Sequence, residues 1–173
     1  MHQLERTLNL ATKFLDEVRS DIGRSALDGE DMPPRVRSVH EKPGHATPEF
    51  RTLAIPIPDG LGGASPEILS GTIARYAETK KPDCLLLAME AQMDWGDEGP
   101  GPVLIAEARD RTGTRMFWVQ PYRPAGTKVD WDAPIEGGWR DPGEEEMILD
   151  AAFPRREPDP GGRPIIGDPP ARN

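Results

Sequence analysis

The sequence predicts an α+β fold: an antiparallel meander of three to four strands with helices packed on one face, plus a disordered C-terminal tail. Three features predict it. Dense apolar runs at residues 85–89, 103–106 and 116–119 have the length of strands. Segments with the spacing and caps of helices lie before and after them. The last twenty residues hold six Pro and three Gly, with Ile165 and Ile166 as their bulky apolar side chains. Such a segment buries too little surface to offset its ordering entropy. The organisation read is one domain over residues 1–153 and a tail over 154–173.

The first element is a helix over residues 4–22. Leu4, Leu8, Ala11, Leu15, Val18 and Ile22 follow steps of 4, 3, 4, 3 and 4, which places them on one stripe. Gly23 is its stop. The stripe has two destinations: docking on its own domain, or pairing with a partner or a second copy. Residues 23–50, punctuated by Pro33, Pro34, Pro43 and Pro48, read as a long surface loop. Residues 51–58 read as an edge strand, because Pro56 and Pro58 remove backbone donors. A Gly-rich turn at 59–64 follows. Ser65 then caps a helix, with Pro66 at its first position and Glu67 at the positive end of its dipole. That helix runs to about Lys81, buries Leu69, Ile73, Tyr76 and Ala77, and ends at Pro82.

Residues 83–93 form the clearest strand, and 94–102 an acidic, glycine-rich connection. Residues 103–111 and 114–122 read as a strand pair turning at Arg111-Thr112-Gly113. Residues 124–140 are irregular. Asp141, Pro142 and Glu144 have capping-box spacing and predict a last helix over 143–152.

Composition narrows the function classes. The formal net charge of -9 and a pI near 4.9 argue against general affinity for nucleic acid or anionic membrane, which needs clustered Lys and Arg. They permit a partner with a basic face. Cys84 is the sole cysteine, so no internal disulfide is expected. No apolar run reaches the roughly 18 residues of a membrane span. The opening Met1-His2-Gln3-Leu4-Glu5-Arg6 lacks the basic-then-apolar form of a signal peptide. A cytoplasmic location is expected.

Reactive groups are sparse. Strand, Gly60-Leu61-Gly62-Gly63-Ala64-Ser65, then helix is the layout of an anion-binding helix start. It lacks the third glycine of a dinucleotide loop and the Gly-Lys-Ser/Thr of a Walker loop, so a capped turn is the plainer reading. No cofactor is expected. His2, His40 and His45 lie outside the expected core, and with Cys84 distant they form no zinc pattern. Cys84 reads as a small buried residue. The catalytic candidates are Asp83, Glu90, Glu107 and Arg109. If Glu90 and Glu107 converge across paired strands, the two carboxylates are candidates to hold a divalent metal and activate water. The plainer reading is strand alternation, with Glu107 and Arg109 on one face. Residues 128–150 carry eight Asp/Glu against Lys128 and Arg140, and residues 90–98 add Glu90, Asp94, Asp97 and Glu98. Trp95, Trp131 and Trp139 lie in or beside these stretches, and aromatics among charges are common in contact surfaces. The plainer reading is a solvated face with the tryptophans covering the edge of the core.

The helix–three strands–helix order and Pro82-Asp83 resemble the PD-(D/E)xK nuclease pattern. That pattern wants Lys two residues after its acid, where this chain has Gln92 and Arg109. Arg stays protonated and activates no water. The stretch from Tyr76 to Tyr122 also resembles a type of short bacterial and phage protein of no assigned activity: helix, Pro82-Asp83, apolar strand ending Glu90-Ala91, loop and hairpin. An aromatic tends to follow Glu-Ala there, and Gln92 stands here. The expectation is therefore a non-catalytic protein-binding or accessory protein, with a protein partner or homo-oligomer. The alternative is a metal-dependent hydrolase or nuclease using the meander carboxylates.

Overall fold

The structure is a computed structural model and describes residues 3–28, 32–56 and 65–153. It is α+β, as expected. A first helix, α1 (Gln3–Asp28), continues through Gly23, the expected stop, which keeps a helical backbone, and precedes the hairpin β1 (Arg35–His40) and β2 (Glu49–Ala54). Helix α2 (Pro66–Lys80) leads into the meander β3 (Cys84–Asp94), β4 (Pro100–Asp110), β5 (Arg115–Ala125) and β6 (Lys128–Trp131). A 3-10 turn at Ile148–Ala151 closes the described chain. The strands form one antiparallel sheet in the order β2-β1-β3-β4-β5-β6. Among the described residues no helix is long and apolar enough to cross a membrane.

The sheet has six strands rather than three to four, because the expected loop at 23–50 supplies β1 and the start of β2, and the expected irregular stretch at 124–140 supplies β6. β1 is Arg35-Val36-Arg37-Ser38-Val39-His40, and its charged and polar residues hide the strand period. Val36 and Val39 point to opposite faces, each into a core. Arg37 sits over the Phe14 ring, its guanidinium carbon 4.9 Å from the centroid, and donates to Glu17. Its apolar stem packs while its charged head stays paired.

The helices cover both faces, not one. Strand alternation sends Cys84, Leu86 and Ala88 to one face and Leu85 and Leu87 to the other. The first face takes α1 through Ala11, Phe14, Leu15, Val18 and Ile22, all 2% exposed or less. The second takes α2 through Leu69, Ile73 and Ala77, together with Met147 and Leu149. Each fully buried Leu or Ile contributes about 1.5–3 kcal/mol. The stripe on α1 is therefore spent within its own domain, except that Leu4 is 52% exposed.

The caps of α2 follow the sequence. Ser65 Oγ accepts the Ile68 N–H, Pro66 begins the helix, and Lys81 ends it at φ 47°, ψ 57°. The β4–β5 turn forms at Arg111-Thr112-Gly113 as expected, with Asp110 as its anchor. Asp110 Oδ1 accepts the N–H groups of Thr112 and Thr114 at 2.9 and 3.0 Å. Its Oδ2 accepts the Thr7 hydroxyl of α1 at 2.9 Å. The expected helix at 143–152 is absent. Asp141 Oδ1 accepts the Gly143 N–H, but Gly143 turns to φ 61°, which breaks helical continuation. The expected turn at 59–64, the last two residues of the strand read over 51–58, and the tail at 154–173 lie outside the described residues.

Candidate functional site

The four predicted site residues occupy three separate places. Asp83 closes the gap between β1 and β3: its Oδ2 accepts the Glu41 N–H at 2.7 Å, and its Oδ1 lies 3.5 Å from the Arg111 guanidinium. Glu90 and Glu107 do not converge. In the β3–β4 register Glu90 stands opposite Leu104 and Glu107 opposite Leu87. Glu90 therefore shares the α1 face, and Glu107 the α2 face. Among the described residues, no group of three or more His, Cys, Asp or Glu is placed to hold a metal.

Glu107 is 3% exposed and anchors the 3-10 turn. Its two carboxylate oxygens accept the N–H groups of Ile148 and Leu149 at 3.1 and 2.9 Å. Burial pushes its carboxyl up to about 7, against those two donors. Arg109, 5% exposed, lies 3.1 Å from Asp150 and donates to the Phe153 carbonyl at 2.7 Å. Arg115, which sequence reasoning missed, grips Asp150 with two bonds of 3.0 and 2.7 Å and donates to the Gly143 and Glu145 carbonyls. Burial raises the Asp150 carboxyl, but the Arg115 bond and the Met147 N–H outweigh it and hold the group below its ordinary value. This network ties residues 143–153 to the sheet. Each carboxylate is engaged by donors of its own fold, as a structural latch requires.

Cys84 is buried, and burial pushes its thiol up to about 12. A thiol so rarely ionised is a poor nucleophile, which agrees with its reading as a packing residue.

A different concavity lies where the β3–β4 connection meets β5 and β6. It measures about 540 Å³ and is bordered by Trp95, Pro100, Pro102, Pro121, Tyr122 and Arg123, with Glu98 and Asp132 among its walls. Local chemistry builds it. Asp94 Oδ1 accepts the Gly96 N–H at 2.9 Å, and Gly96 and Gly99 take φ of 71° and 75°. The loop then folds back, with Trp95 N–H donating to the Gly99 carbonyl at 3.0 Å. Its indole lies against Gly101, where an added Cβ would come within 2.9 Å of Trp95 Nε1. The glycines of this connection thus seat the tryptophan. Tyr122 borders the concavity, but strand alternation turns its ring to the α1 face, away from Pro121 and Arg123. Its hydroxyl donates to Glu90 Oε1 at 2.5 Å, and its ring tilts at 45° against Trp131 with centroids 5.0 Å apart. Glu90 Oε2 in turn accepts the Met32 N–H at 2.9 Å. Glu90 therefore ties Tyr122 to the segment before β1 within the α1-face core. Arg123 reaches loosely to Glu98 and Asp132, at 3.8 and 3.7 Å.

The sequence singled out Trp95 and the acidic stretch around it, but not Tyr122, Pro100, Pro102 or Pro121. Those residues meet only through the register of β3, β4 and β5. Comparison of the chain with protein families, with curated proteins and with solved structures gives no match.

Proposed function

We propose that the protein is a non-catalytic protein-binding or accessory protein that takes a basic segment of a partner in the cleft beside Trp95. The observation that carries this reading is the cleft itself: Trp95 and proline walls with the carboxylates of Glu98 and Asp132, which Arg123 reaches only at 3.8 and 3.7 Å. Aromatic side chains offer large contact area at low entropic cost. Carboxylates around them favour a cationic partner and speed its encounter. The net charge of -9 acts in the same direction. Metal-dependent hydrolysis through Asp83, Glu90 and Glu107 has less support, since the three carboxylates stand apart and each holds a backbone N–H of the fold.

The test is titration of the full chain with an arginine-rich peptide, and with a glutamate-rich peptide as control, followed by tryptophan fluorescence and calorimetry. Saturable binding of the basic peptide is expected, weakened by added salt. Trp95→Ala should weaken it about tenfold or more, as loss of an aromatic anchor does. Equal binding of both peptides, or binding unchanged by Trp95→Ala, would sink the reading.

A further inference from the structure

We propose that two copies of the chain join edge to edge through β2, extending the sheet across a two-fold axis centred on Thr52. The two edges of the sheet are built differently. β6 is four residues long and alternates charge, Lys128-Val129-Asp130-Trp131, the usual protection of an exposed edge. β2 is six residues long and, among the described residues, pairs only with β1. Phe50 and Leu53 on it are 43% and 42% exposed.

The free backbone groups of β2 can be assigned. The Ile55 N–H donates to the Pro34 carbonyl, across the β1 side, at 2.8 Å. In an antiparallel ladder alternate residues point both groups the same way. Leu53 and Arg51 therefore face β1, while Phe50, Thr52 and Ala54 turn their N–H and C=O groups outward.

That outward row is complementary to itself in one register. With Thr52 opposite Thr52 of the second copy, Phe50 meets Ala54 and Ala54 meets Phe50, each pair exchanging both hydrogen bonds. A large side chain then faces a small one on the α1 face. On the α2 face Arg51 lies opposite Leu53, so no like charges meet. Sliding to a centre on Arg51 sets two guanidinium groups directly opposite, which is destabilising. Sliding to a centre on Leu53 brings Pro56, which has no N–H, opposite Phe50. This surface is separate from the Trp95 cleft, and either one can fail without the other.

The test is light scattering of the full chain over a wide dilution series, with cysteine variants to read the register. A monomer–dimer equilibrium is expected. Thr52→Pro removes an N–H that the monomer does not use and should weaken the dimer by about tenfold or more. Ala54→Asp, which sets a carboxylate against the Phe50 ring of the second copy and faces Arg35 across the β1–β2 pair of the monomer, should do the same and stands in if the proline variant misfolds. Thr52→Cys should cross-link on mild oxidation, since directly opposed residues there lie about 5.5 Å apart. Phe50→Cys should not, being about 13 Å from its own copy. Cys84 is buried and adds no background. A monomer throughout, a dimer indifferent to both edge variants, or a cross-link through Phe50→Cys in place of Thr52→Cys would overturn the proposal.

Discussion

Glu107 shows how one side chain can look catalytic in sequence and be structural in the fold. Its burial pushes its carboxyl from an ordinary 4.5 to about 7, while two backbone donors oppose the shift. The folded chain thus binds this proton more tightly than the unfolded chain does. Between the two values the folded state carries the extra proton, so stability falls as pH rises from about 4.5 to about 7. The amount is roughly 3 kcal/mol. Glu107→Gln abolishes this titration and sets an amide NH₂ against one of the two N–H donors, at a cost of about 1–3 kcal/mol. In urea unfolding, the gap between wild type and variant is expected to be widest near pH 4.5 and to narrow towards pH 7. A gap that is flat or widens with pH would show that Glu107 is not the titrating group. Asp110 and Asp150 act in the opposite sense. Burial raises both, but their hydrogen bonds prevail and hold them low, so their contribution is lost only as pH falls through the acid range.

The helices and strands differ in how openly the chain announces them. α2 was legible from Ser65, Pro66 and its apolar spacing, because each of those signals acts within a turn of the helix. Its end at Lys81 carries a conformational cost: a left-handed backbone at φ 47° disfavours any side chain by about 1 kcal/mol. The cap itself uses backbone groups, the Lys81 N–H to Ala77 and the Lys81 carbonyl to Arg111. Lys81→Gly is therefore expected to stabilise the protein by roughly 0.5–1 kcal/mol in chemical denaturation, with no loss of helix by circular dichroism. A destabilised variant would show that the Lys81 side chain contributes more than its strain costs. β1 was not legible. Its arginines read as loop, yet Arg37 packs on Phe14 and donates to Glu17 and Thr52. Only the presence of α1 overhead makes those residues strand-compatible. The reading of residues 143–152 as a helix failed for a related reason: Asp141 spends its carboxylate on the Gly143 turn, and Arg109 and Arg115 hold the segment in place.

Across the molecule, the sheet works as the partition between two cores. Deleting residues 1–23 would strip α1 from Cys84, Leu86, Ala88, Leu104, Ala106 and Ala108, all 3% exposed or less. Such a chain is expected to lose its near-ultraviolet dichroism and its cooperative melt. A folded product would mean that the α1 face needs no cover. The same architecture occupies most of the helix stripe, Leu4 being 52% exposed. Among the described residues the Trp95 cleft at one end of the meander and the β2 edge are turned outward, and the two proposals rest on them.

Local pattern was enough to establish the α+β class, the start of α1, the course of α2, the strands β3 to β5 and the turn after Asp110, while the end of α1 passed Gly23 unannounced. Periodicity, caps and turn residues act over a few neighbours, so they can be read along the chain. The number of strands, the covering of both faces and the fate of Glu90 and Glu107 were decided by tertiary structure. They depend on register across connections and on which charged groups find partners far away in sequence. A shift of one residue in that register moves every side chain to the other face, and no local signal records it.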